Sequence, residues 1–86
     1  MSRNKYYAVT KGREQGVFDN WDKCNRKVKG YKGAVFKGFQ TLANAIDYLE
    51  AEGDPNRGGV LNIGETDIFC KTLSELCNAL RDIEAK

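Results

Sequence analysis

The sequence predicts an α+β fold: a three-stranded antiparallel sheet with two helices in the order ββαβα, followed by a C-terminal β-α extension. Three observations carry that prediction. Tyr- and Val-containing runs near the N-terminus flank a glycine-bracketed turn, and later stretches place apolar residues at helical spacing behind a capping residue. The junction Phe39-Gln40-Thr41-Leu42 is also echoed by Phe69-Cys70-Lys71-Thr72-Leu73, each joining a strand end to a capped helix. At 86 residues the chain has room for one small domain, or for a domain of about 50 residues with an appendage.

Lys5 to Thr10 reads as the first strand. It stops at Lys11-Gly12, and Gly12 and Gly16 bracket a tight turn, GREQG, after which Val17-Phe18 resumes an extended pattern. Asn20 or Asp22 caps a helix reaching about Lys29, in which Trp21, Cys24 and Val28 recur at i, i+3 and i+7. Cys24 and Val28 are therefore expected in the core, with Lys23, Arg26, Lys27 and Lys29 as a basic outer surface. Gly30-Tyr31-Lys32-Gly33 breaks that helix. In the third strand, Ala34 to Phe39, one face receives Ala34, Phe36 and Gly38 and the other Val35, Lys37 and Phe39. One ring is expected in the core, the other exposed beside a lysine.

Thr41 caps a second helix whose stripe of Leu42, Ala45, Ile46 and Leu49 is core. Residues 1–52 thus form a first unit. Residues 53–59, which hold the only proline, read as a linker. Val60 to Ile63 and Asp67 to Cys70 then look like short strands about Gly64-Glu65. Thr72 and Glu75 stand in capping-box spacing at the start of a helix carrying Leu73, Leu76, Cys77, Leu80 and Ile83 on one side. That stripe must be buried somewhere, so residues 60–86 either pack on the first unit or pair with another chain, as in a homodimer through Leu73, Leu76, Leu80 and Ile83.

Charge is segregated along the chain. Residues 1–40 carry ten Lys/Arg against three acids, and residues 41–86 carry four against nine. Every aromatic residue except Tyr48 and Phe69 also falls between Lys5 and Gln40. Basic residues interleaved with aromatic rings suit a polyanion-binding face, because rings stack on bases while Lys and Arg neutralise phosphates.

Enzymatic chemistry finds little support. The chain has no histidine, no GxSxG, no Walker loop and no acid cluster in its basic half. With three cysteines lacking CxxC spacing and no histidine, no metal site is expected, and Cys24 lies in the helical phase of a buried thiol. No cofactor is expected. The N-terminus lacks a signal-peptide pattern and no run approaches a membrane span, so the expectation is a cytosolic chain with reduced thiols and no membrane partner.

The pattern YYAVxxGRxxGVFxxWxxC followed by VKGYKGAVFKGF resembles the hybrid-binding domain at the N-terminus of eukaryotic-type ribonucleases H1, also known as the caulimovirus viroplasmin domain. The resemblance covers about Lys5 to Leu49. It implies the ββαβα fold and binding of RNA/DNA hybrid, with weaker binding of double-stranded RNA, across the minor groove. It also implies that Tyr7, Trp21 and Phe36 meet the DNA strand, followed by Lys37. Main-chain amides between Gly30 and Val35, including Gly33 and Ala34, are implied at the RNA 2′-hydroxyls. Arg13 of the Gly-Arg hairpin and Lys32 of the glycine loop are further basic candidates for the same binding face. Val35 and Gly38 stand where some members carry basic residues, which lowers the expected affinity. No ribonuclease H domain follows, so the expectation is a binding module without catalysis, and the alternative is a self-association module using the C-terminal helix.

Overall fold

The computed structural model describes residues 4–85; Arg3 and Lys86, which contribute to the charge segregation, lie outside the described residues. The elements are β1 (Tyr6–Lys11), β2 (Gln15–Phe18), α1 (Trp21–Val28), β3 (Val35–Phe39), α2 (Leu42–Glu52), β4 (Gly59–Ile63), β5 (Thr66–Cys70) and α3 (Leu73–Glu84). The fold is α+β, as predicted from the sequence. The sheet, however, has five strands rather than three, in the order β3-β1-β2-β4-β5.

The difference arises at β2. Its outer edge is taken by β4, which runs parallel to it in a register from Gln15 opposite Gly59 to Phe18 opposite Asn62. β5 then returns antiparallel to β4, so the extension prolongs the first sheet. Gly16 makes the parallel pairing possible: a Cβ there would overlap the main chain of Val60, which no side-chain adjustment could relieve.

Gln15, beside it, is buried to 1% exposure and uses its whole amide. Its Nε2 donates to the carbonyls of Asp54 at 2.9 Å, Arg57 at 3.0 Å and Gly58 at 3.3 Å, while its Oε1 accepts from the Asp54 amide at 2.9 Å. The stretch expected as a linker is thereby fixed to the sheet as a crossover loop between α2 and β4.

Each helix starts where a side-chain oxygen satisfies an amide of its first turn. Asn20, rather than Asp22, caps α1 by accepting from Lys23; Thr41 caps α2 from Asn44, and Thr72 caps α3 from Glu75. Glu75 reaches back to the amide of Lys71 at 3.3 Å, one residue before the cap.

The two sheet faces are covered unequally. On one, Ala8, Val17 and Leu61 pack with Leu42, Ala45, Ile46 and Leu49 of α2 and Leu73, Leu76, Cys77 and Leu80 of α3. On the other, α1 brings Cys24 and Val28 against Val9, Phe18 and Val60. The α3 stripe is therefore spent within the chain, with Leu76 and Leu80 fully buried, Leu73 nearly so and Ile83 packed against the same cluster. Re-exposing three leucines would cost roughly 1.5–3 kcal/mol each. At the surface, Arg81 of α3 meets Glu50 of α2 at 2.8 Å and Asp47 at 3.6 Å.

Candidate nucleic-acid interface

α1 has only eight residues and covers the sheet beside β1 and β2, leaving the β3 side of that face open. Strand alternation sends Tyr7 of β1 and Phe36 of β3 to this face, and Trp21 enters it from the first position of α1. The three rings form a row. Tyr7 and Trp21 have centroids 5.7 Å apart, and Trp21 and Phe36 5.5 Å, both pairs tilted. Trp21 and Phe36 are 44% and 41% exposed, high values for rings that could have been buried in a protein this small.

Behind the row, Ala34 is half-buried against the Val9 and Phe18 cluster. Lys37 is not in the row. By strand alternation it leaves the opposite face of β3, where its Nζ stands 5.6 Å from the ring centroid of Phe39. Phe39 in turn packs on Tyr48 at 5.4 Å, which makes it the ring that joins the core. Because β3 is an edge strand, the exposed Lys37 ammonium can still reach past the sheet edge.

The glycine loop is two successive turns that share Tyr31. The Tyr31 amide donates to Val28 O at 3.0 Å, and the Ala34 amide to Tyr31 O at 3.3 Å. Gly30 and Gly33 each occupy the third position of their turn, with φ of 71° and 80°, the positive angles that a type II turn requires there. A Cβ on Gly33 would meet nothing within 4 Å, so the loop's outer side is open space. Lys32 sits exposed at the tip, and the Ala34 amide, implied as a ligand donor, is engaged inside the turn. Among the described residues, the amides of Lys32 and Gly33 have no acceptor within the chain.

Arg13 acts on this loop from behind. Its Nη1 donates to Lys29 O at 2.6 Å and its own amide to Lys27 O at 2.8 Å, which ties the β1–β2 turn to the end of α1. Lys27 pairs with Glu14 and Lys23 with Asp19 at 2.8 Å, leaving Lys29 and Lys32 as the exposed cations of the loop. Burial opposes ionisation of Asp19, but hydrogen bonds from Lys23 and the Gly64 amide, and the Lys23 charge, prevail and hold its carboxyl below the usual range. Burial pushes the Cys24 thiol up to about 11, so it remains protonated at neutral pH and inert as a nucleophile.

A groove and a bulge near the loop escaped sequence reasoning. Tyr31 is 39% exposed, and with Lys11, Lys32 and Gly33 it borders a groove beside the loop that Arg57 and Asp54 of the crossover also line. The β1 bulge, which sets both Val9 and Lys11 against successive residues Phe36 and Val35, positions that end of the strand. A bulge leaves no mark in hydrophobic periodicity. Among the described residues, no three His, Cys, Asp or Glu come close enough to hold a metal ion.

The family described as the ribonuclease H1 N-terminal domain matches residues 5–49, a segment that contains every candidate interface residue and ends within α2. The ribonuclease H of Crithidia fasciculata is 46% identical over 55 residues, covering 64% of this chain and 11% of that protein. The ribonuclease H of Saccharomyces cerevisiae is 41% identical over 54 residues, covering 63% and 15%. Human ribonuclease H1 is 36% identical over 50 residues, covering 58% and 18%. The chain thus spans less than a fifth of the length of these relatives. No solved structure matches it.

Proposed function

This chain belongs to the family of ribonuclease H1 N-terminal domains, and on that premise we propose that it is a non-catalytic module that binds RNA-containing duplexes through the minor groove. RNA/DNA hybrid is its preferred ligand and double-stranded RNA a weaker one. The observation that carries this reading is the row of Tyr7, Trp21 and Phe36 on a sheet face that α1 leaves open. Stacked rings contribute about 1–3 kcal/mol per base or sugar contact, and they accept any sequence.

The glycine loop supplies the second half of the recognition. The free amides of Lys32 and Gly33 stand where no Cβ blocks approach, which suits donation to 2′-hydroxyls, the groups that separate RNA from DNA. Lys29, Lys32 and Lys37 supply phosphate neutralisation around the two surfaces. The non-catalytic reading is supported by the match to an N-terminal domain.

The test is a competition among hybrid, double-stranded RNA and double-stranded DNA of one sequence at fixed salt. Hybrid is expected to compete best and DNA least. Equal competition by all three would remove the 2′-hydroxyl contacts from the mechanism.

A further inference from the structure

The strand that closes the sheet opposite β3 carries exposed apolar residues that nucleic-acid binding does not use. On β5, Ile68 and Phe69 are 47% and 62% exposed. Edge strands are commonly protected by proline, a bulge or short length. Residues 66–70 contain no proline and pair with β4 without a register shift.

The hairpin turn Gly64–Glu65 has two residues, so its closing pair, Ile63 and Thr66, is a hydrogen-bonded one. Alternation from that pair turns the main-chain groups of Thr66, Ile68 and Cys70 toward β4 and leaves those of Asp67 and Phe69 facing out. We propose that β5 pairs antiparallel with β5 of a second copy of this chain, about a twofold axis at Ile68. Two five-stranded sheets thereby become one continuous sheet. This proposal does not depend on duplex binding.

The register is self-complementary. With Ile68 opposite its own copy, Asp67 faces Phe69 and Thr66 faces Cys70, so the outward main-chain groups of Asp67 and Phe69 meet each other. One step beyond the strand, exposed Glu65 falls opposite exposed Lys71 of the second copy, and the axis repeats that pair. Opposite charges directly across strands stabilise pairing, and like charges oppose it. Slipping by two residues one way sets Asp67 against its own copy. Slipping the other way pairs only Ile68 to Cys70 within the strand. A twofold interface places the same patch on both subunits, which an antiparallel edge satisfies and a parallel one does not.

Five residues a side make an interface below the standard size, so the dimer is a reversible one. Sedimentation equilibrium of the full 86-residue chain, from about 10 μM to about 1 mM, is expected to show a monomer–dimer equilibrium. Glu65→Lys and Lys71→Glu are each expected to weaken dimerisation by about tenfold or more, and the combined variant to restore it to within about threefold. Ile68→Lys should leave a folded monomer, with folding checked by thermal unfolding. A chain that stays monomeric at the highest concentration overturns the proposal. So does a dimer indifferent to the single charge reversals, or one that the combined reversal fails to restore.

Discussion

Gln15 grips both peptide groups of Asp54, donating to its carbonyl at 2.9 Å and accepting from its amide at 2.9 Å across 39 residues of sequence. A buried side chain of the first hairpin thus fixes the start of the crossover that delivers β4. Gln15→Ala leaves the Asp54 amide and the carbonyls of Arg57 and Gly58 without the Gln15 partner, at a cost of roughly 1–3 kcal/mol, while the Asp54 carbonyl keeps the Arg57 amide at 3.2 Å. Urea denaturation should show that loss, while hybrid affinity of the folded fraction stays within about twofold because Gln15, two residues before Val17 on β2, lies on the sheet face opposite the aromatic row.

Asp19 couples the first unit to the β4–β5 turn, accepting from the Gly64 amide at 2.6 Å while Lys23 Nζ bridges to Gly64 O at 3.1 Å. Its carboxyl titrates below its ordinary value of 3.8 in the folded state, so its stabilising contribution is present above that value. It is lost as the pH falls through the lower folded value. Asp19→Asn should therefore destabilise the chain at neutral pH and flatten the fall in stability on acidification. A parent and variant with parallel stability curves between neutrality and about pH 3 would remove Asp19 from this role.

Gly33 and Gly64 both hold positive φ with open space where a Cβ would project. Either change to Ala should cost about 1–2 kcal/mol of stability. Only Gly33→Ala lies in the proposed interface, so it should weaken hybrid binding while Gly64→Ala leaves binding unchanged. Fluorescence anisotropy on both variants separates backbone strain from loss of ligand approach.

Lys37 leaves the face opposite the aromatic row, so the role proposed for it is confined to a phosphate beyond the sheet edge. Lys37→Ala is expected to weaken hybrid and double-stranded RNA alike and to reduce the slope of log affinity against log salt by about one. A change in ligand preference with an unchanged slope would assign it a different contact.

Much of this arrangement is legible in the sequence because local rules set it. Thr41 and Thr72 cap where an oxygen is needed before an apolar stripe, and alternation along β3 separates Phe36 from Phe39. The place of the extension is not legible in the same way. Val60 to Ile63 is a short apolar run that fits any sheet edge, and its parallel partner is chosen by tertiary features: the missing Cβ at Gly16 and the buried amide of Gln15. A glutamine flanked by turn glycines reads from sequence as solvent-exposed. Likewise, Gly30 and Gly33 mark turns, but that the two turns share Tyr31 and are braced by Arg13 depends on α1 ending at Val28.

The central claim is that the Tyr7–Trp21–Phe36 row binds the duplex. The most direct measurement is the affinity of the chain for one RNA/DNA hybrid at fixed salt, beside Trp21→Ala and Phe36→Ala, each shown to be folded by thermal unfolding. Both side chains are substantially exposed, so stability should fall little while affinity falls by about fivefold to a hundredfold, as expected for a lost stacking contact. Hybrid affinity unchanged in both folded variants would contradict the assignment of this face.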